Sequence, residues 1–208
     1  MARDPADRGT TTQNDSRTAI LEAAARTIAT HGVRGLRVEE VAAEAGVSAP
    51  LLYYHFHSRS GLVKAALEAA SEQAPSTALR GGEVPAGVSG YEALEAALLG
   101  ELGDDAHVHH NAVVWGEVSA SAVFDPDLRD DVARVTRTWR DEVAEGIRAG
   151  IADGSIRELD AGETAEVLIT LVDGLCARWL AGTIERDRAR ELLTTELRRR
   201  LLAGYAGA

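Results

Sequence analysis

The chain is 208 residues long, 45% hydrophobic and formally −11 at neutral pH, enough apolar material for one sizeable core or two small ones and too much for a wholly disordered chain. Its single cysteine excludes an internal disulfide framework and zinc-finger spacing; no apolar run nears the ~20 residues of a membrane span and the first residues lack the apolar core of an export signal, so a cytoplasmic protein is expected. Residues 1–65 carry eight Lys/Arg against seven Asp/Glu, while 66–208 carry fourteen against twenty-six; the acidity that would repel phosphates sits outside the first third.

Residues 1–15 mix Asp, Arg, Thr and Gly without any period and read as a flexible tail. From Ser16 or Arg17 to His31, Ile20, Ala23, Ala24, Thr27 and Ile28 recur at three and four, an amphipathic helix closed by Gly32. Val38 to Ala45 is a short helix with Val38, Val41, Ala42 and Ala45 on one face, ended by Gly46. Ser48 caps the next helix and Pro50 sits in its first turn, where a missing N–H costs nothing. In that helix Leu52 and Phe56, four apart, share a packing face, and Ala49, Pro50, Tyr53, Tyr54 and His55 fall on or beside the other.

Two short helices meeting across a tight turn form a helix-turn-helix, in which the second helix enters the major groove. Leu36 through Arg59, with Ala42, the Gly46-Val47-Ser48 turn and above all Leu52-Tyr53-Tyr54-His55-Phe56, resembles the DNA-binding core of the TetR family of transcriptional regulators. Carried over residue by residue, the resemblance puts Ala49, Pro50 and Leu51 where base edges are read and Tyr53, His55 and Arg59 where phosphates are held, with Tyr54 suited to either. The family pattern has Thr or Ser at the cap occupied here by Arg37, which weakens the cap and offers a phosphate contact instead. Ala49, Pro50 and Leu51 bring no side-chain donors, so readout is expected to lean on thymine methyls, backbone groups and DNA shape.

Ser58 caps a helix from Arg59 to about Ala74 with Leu62, Val63, Ala66, Leu67 and Ala70 on one stripe. Residues 75–90, rich in Gly and Pro, read as a loop or linker. Helical patterning resumes over Tyr91–Leu102 and His107–Val123. Asp125-Pro126-Asp127 then starts a long helix on Leu128, Val132, Val135, Trp139, Val143, Ile147 and Ile151, stopped by Gly154. Asp160 with Glu163 reads as a capping box for a helix through Leu168, Val172, Leu175 and Trp179 to Gly182, and Leu192, Leu193, Leu197 and Leu201 mark a last one.

The expectation is therefore an all-α chain. It comprises a tail (1–15), a three-helix helix-turn-helix head (16–58) and a larger helical ligand-binding and dimerisation domain (59–208). His107, His109 and His110 lack the i, i+4 spacing that puts two imidazoles on one helical face, and no metal or cofactor is expected. His110, Asn111, Trp115, Glu117, Asp173 and Cys176 are the candidate ligand residues. No nucleophile elbow, phosphate loop, zinc-protease motif or dinucleotide fingerprint is present, which speaks against an enzyme.

The resemblance implies a homodimer, its long helices near Asp127–Asp153 and Asp160–Ala181 pairing with their mates, on a double-stranded, palindromic DNA operator. A small-molecule effector would release it, the mark of a repressor. The alternatives are a DNA-binding regulator without an inducer, or a small-molecule-binding protein or enzyme whose head only resembles a DNA binder.

Overall fold

The computed structural model describes residues 5–82, 84 and 86–204. Among these, α-helices and a 3₁₀ segment are the only regular elements: α1 (Pro5–Gly35), α2 (Val38–Glu44), α3 (Ala49–Phe56), α4 (Arg59–Glu72), a 3₁₀ stretch (Pro75–Gly82), α5 (Gly90–Gly100), α6 (Ala106–Ala122), α7 (Pro126–Ala152), α8 (Ala161–Leu180) and α9 (Arg186–Leu201). Two expectations change. α1 begins at Pro5, a residue suited to a helix start, so most of the expected tail is helical, and residues 1–4 lie outside the described residues. The expected loop after α4 contains the 3₁₀ stretch, which buries Ser76 and Leu79.

The chain divides into two compact units, Met1–Ala70 with Val113–Asp131, and Ser71–Ala112 with Val132–Ala208. In this division α4 as far as Ala70, the later part of α6 and the start of α7 go with the head. In the head, α2 and α3 each pack on α1 and on one another. Ile20, Ala24 and Ile28 of α1, Val41 of α2, Leu52 of α3 and Leu62 and Leu67 of α4 are essentially inaccessible to solvent. The guanidinium of Arg17 lies 5.7 Å from the centre of the Phe56 ring, a cation–π contact. Lys64 of α4 pairs with Asp131 at the start of α7, 2.9 Å apart.

In the second unit, Leu94 and Leu98 of α5, Val143 and Ile147 of α7, Leu168 and Val172 of α8 and Leu193, Leu197 and Leu201 of α9 share one core. Local chemistry fixes where these helices start. Asp160 accepts from the Glu163 N–H at 2.8 Å. Ser89 and Glu92 form a reciprocal capping box that starts α5. Gly90 sits where α5 crosses α7, and a Cβ added there would fall 2.4 Å from the Gly150 backbone.

Backbone cannot retreat as a side chain can, so Gly90→Ala is expected to destabilise by about 1–3 kcal/mol in urea unfolding. Gly116, mid-α6 with nothing within 4 Å of a would-be Cβ, supplies the control: Gly116→Ala is expected to be neutral or stabilising by up to ~1 kcal/mol.

Candidate nucleic-acid interface

The turn into α3 is built from its own residues. Gly46 takes φ +68, a conformation glycine adopts without cost. Ser48, at the cap of α3, accepts from the Leu51 N–H at 3.3 Å, and Pro50 occupies the first turn. Leu52 and Phe56 are buried, leaving Tyr53 42% and Tyr54 64% exposed. Pro50 is exposed beside them, and Ala49 and Leu51 are half-buried. Arg37 caps α2 with no side-chain bond and extends into solvent, with only a 3.4 Å surface contact to Glu40, an ion pair worth well under ~1 kcal/mol. Arg37, Ser48, Pro50, Tyr53 and Tyr54 therefore present polar or apolar groups outward from the two helices.

His55 and Arg59 are placed differently from the expectation. His55 is half-buried, with its ring 5.5 Å from Tyr54 and 6.0 Å from Phe56, and its Nε2 is buried without a hydrogen-bond partner. Lying three residues after Leu52, it falls beside the packing stripe rather than opposite it. The Arg59 guanidinium turns back into the head: Nε donates to the Leu36 carbonyl at 3.0 Å and an Nη to the Val33 carbonyl. Two of its five N–H donors thus close the α1–α2 turn, while the residue as a whole stays exposed.

The six candidate ligand residues do not form one group. His110, Asn111, Asp173 and Cys176 belong to the second unit, while Trp115 and Glu117 belong to the head. Glu117 accepts from the Val33 N–H at 3.0 Å, a bond within the head. His110 lines an open cleft with His109 and Trp179, and His109 meets the Trp179 ring edge-on at 5.5 Å. The Asn111 amide nitrogen is buried without a partner. The Cys176 thiol donates to the Glu101 carbonyl at 3.6 Å, and burial pushes it up to about 12, which makes it unreactive.

Glu101, at the end of α5, was not among the expected site residues. Its carboxyl accepts from the Ser76 N–H at 3.2 Å. Burial, with the negative charges of Asp173 and Glu142 adding to it, pushes it up to about 7. One sequence signal existed: an acid at a helix C-terminus opposes the dipole. Glu142 itself is paired with Arg80 at 2.5 Å. No group of three or more metal-ligating side chains occurs among the described residues, and none of their helices is long and apolar enough to cross a membrane.

A helix-turn-helix head with an outward second helix, joined to an all-helical second unit, defines a DNA-binding regulator. The sequence pattern of bacterial regulatory proteins of the tetR family matches residues 20–66, and that of the BetI-type transcriptional repressor C-terminal domain matches residues 90–202. The chain belongs to the TetR family of transcriptional regulators and is a ligand-responsive, DNA-binding protein of the repressor type. It is 29% identical to the regulator BetI of Cronobacter sakazakii over 192 residues, 90% of this chain and 91% of that protein. A TetR-family crystal structure from Rhodococcus sp. is 42% identical with a TM-score of 0.83, covering 91% of this chain and 100% of that one. A transcriptional regulator from Saccharomonospora viridis, crystallised with choline, is 27% identical with a TM-score of 0.76, covering 90% of this chain and 98% of that one.

Because Glu101 holds its proton more tightly folded than unfolded, the folded state is expected to lose stability as pH rises from the ordinary carboxyl value of 4.5 through about 7. Glu101→Gln should flatten that slope, raising stability at pH 8 by up to about 3 kcal/mol while changing little at pH 5. Urea unfolding at the two pH values measures it.

Proposed function

We propose that the protein grips a palindromic operator as a homodimer, laying α3 of each protomer in the major groove, and that a small molecule held by the second unit releases it. The observation that carries this reading is the division of α3 into a buried face, Leu52 and Phe56, and an outward face with Tyr53 and Tyr54. Their phenolic hydroxyls suit phosphate contact, and Arg37 adds a charged donor. Two heads about 34–36 Å apart, one turn of DNA, would read successive major grooves. Thr170, Gly174 and Ala177 on the exposed side of α8 are small enough to let a partner helix approach closely, which supports pairing through that helix.

With a duplex selected from random sequence, Tyr53→Phe combined with Tyr54→Phe is expected to weaken binding about thirtyfold, since each lost hydrogen bond contributes of the order of 1 kcal/mol. The salt dependence should stay unchanged, because neutral phenols displace no counterions, whereas Arg37→Ala should shallow it by about one ion. Undiminished affinity in the double variant at an unchanged unfolding midpoint would remove α3 from the interface.

For the effector, the choline complex of the S. viridis relative and the buried carboxyl of Glu101, near Asp173 and Glu142, favour a small organic cation. Calorimetric titration with choline should then show affinity rising several-fold, at most about tenfold, from pH 6 to pH 8 as Glu101 ionises. Affinity that is flat or falls with pH would separate the effector from Glu101.

A further inference from the structure

The head holds an open cleft of about 660 Å³, all of whose lining residues belong to that one unit. Its size is that of a small-molecule site. Buried Val63 of α4 and Leu128 of α7 give it an apolar part, and beside them stands Phe124, 79% exposed. That ring is carried by an ordered turn, because the Phe124 and Asp125 N–H groups donate to the Ser121 carbonyl at 3.0 and 3.1 Å. An aromatic face held out in this way offers a second ring a stacking partner.

The same cleft is lined by charges of both signs. Arg34, in the last turn of α1, is exposed, and Arg59 has N–H donors to spare beyond the two it gives to the Leu36 and Val33 carbonyls. Against them stand two carboxylates. Glu117 accepts from the Val33 N–H at 3.0 Å and Asp125 from the Asp127 N–H at 3.0 Å, and each keeps acceptor capacity for a further donor. No ion pair among the described residues joins either arginine to either carboxylate. Three of these four side chains are tied to backbone groups, which holds the opposite charges apart.

We propose that this cleft binds an aromatic zwitterion of the amino-acid class, with its carboxylate on Arg34 and Arg59, its ammonium on Glu117 and Asp125, and its ring against Phe124. A ligand with both charges gives each protein group an opposite partner at once. A plain acid or a plain amine satisfies one pair and leaves its own charge facing the other, like-signed pair, which selects against it. The site lies wholly in the head and is separate from the effector proposed for the second unit, so it does not rest on that reading.

The chain has two phenylalanines, Phe56 buried and Phe124 exposed. Labelling the full chain with 4-fluorophenylalanine therefore yields two fluorine signals, which Phe124→Ser assigns. L-Tryptophan is expected to shift the Phe124 signal saturably, with a Kd of ~1 mM or tighter, and to leave the Phe56 signal in place. Tryptamine, which lacks the carboxylate, and 3-indolepropionate, which lacks the ammonium, should each bind at least about tenfold more weakly. Arg34→Gln should weaken L-tryptophan about fivefold or more, and Glu117→Gln combined with Asp125→Asn by a similar factor, since amides keep the acceptor oxygens but not the charge. If the double variant unfolds, Arg34→Gln carries the test alone, because its exposed side chain has no partner among the described residues. Glu101→Gln, in the second unit, should leave the affinity unchanged. The proposal is overturned by a Phe124 signal that L-tryptophan does not move, by equal affinity for the three indoles, or by wild-type affinity in Arg34→Gln. A loss in Glu101→Gln as large as that in Arg34→Gln would put the ligand in the second unit and overturn it too.

Discussion

Everything distinctive about the head follows from the burial of two side chains on an eight-residue helix. Leu52 and Phe56 are removed from solvent, which at ~25 cal/mol per Å² of apolar area amounts to several kcal/mol. With those two positions seated against α1 and α2, α3 cannot rotate about its own axis. The direction in which Tyr53 and Tyr54 point is then a by-product of core packing, and affinity for a duplex needs no ordering of that helix at the moment of contact.

The second constraint is the accounting of backbone groups at the α1–α2 turn. A helix whose cap residue is an arginine leaves its first N–H groups to water, so the turn draws its order from outside. Arg59 and Glu117 provide it from α4 and α6. Arg59 donates to the carbonyls of Leu36 and Val33, the second of which also accepts from the Leu36 N–H at 3.3 Å. The same bonds make the first turn of α4 and the end of α1 a single piece.

What could be read in the sequence divides by the range of the interaction. Gly46, Ser48, Pro126 and Asp160 act within a few residues, and the helix boundaries they announce agree with the structure. The buried stripe of α7, from Leu128 through Val135, Val143 and Ile147, was equally legible because its period is set by the helix itself. The start of α1 was not legible: residues 5–15 have no apolar period, and pattern alone gave no reason to extend the helix over them. The long-range bonds of Arg59, Glu117 and Glu101 were not legible, because their partners lie tens of residues away and no local pattern encodes a bond across such a span. His55 shows the finer failure: its neighbours in the motif suggested an outward ring, yet its place beside Leu52 turns Nε2 inward. The second unit was legible as helices in order but not as a set of lining residues.

The lone thiol of the chain carries a practical consequence. Cys176 is held under the end of α5, and its proton stays bound to about pH 12, so maleimides and mild oxidants find no thiolate there at neutral pH. A cysteine installed at the solvent-facing Tyr54 or Phe124 would be the sole nucleophilic sulfur, giving paramagnetic or fluorescent reporters a clean attachment point without stripping the native residue from the core.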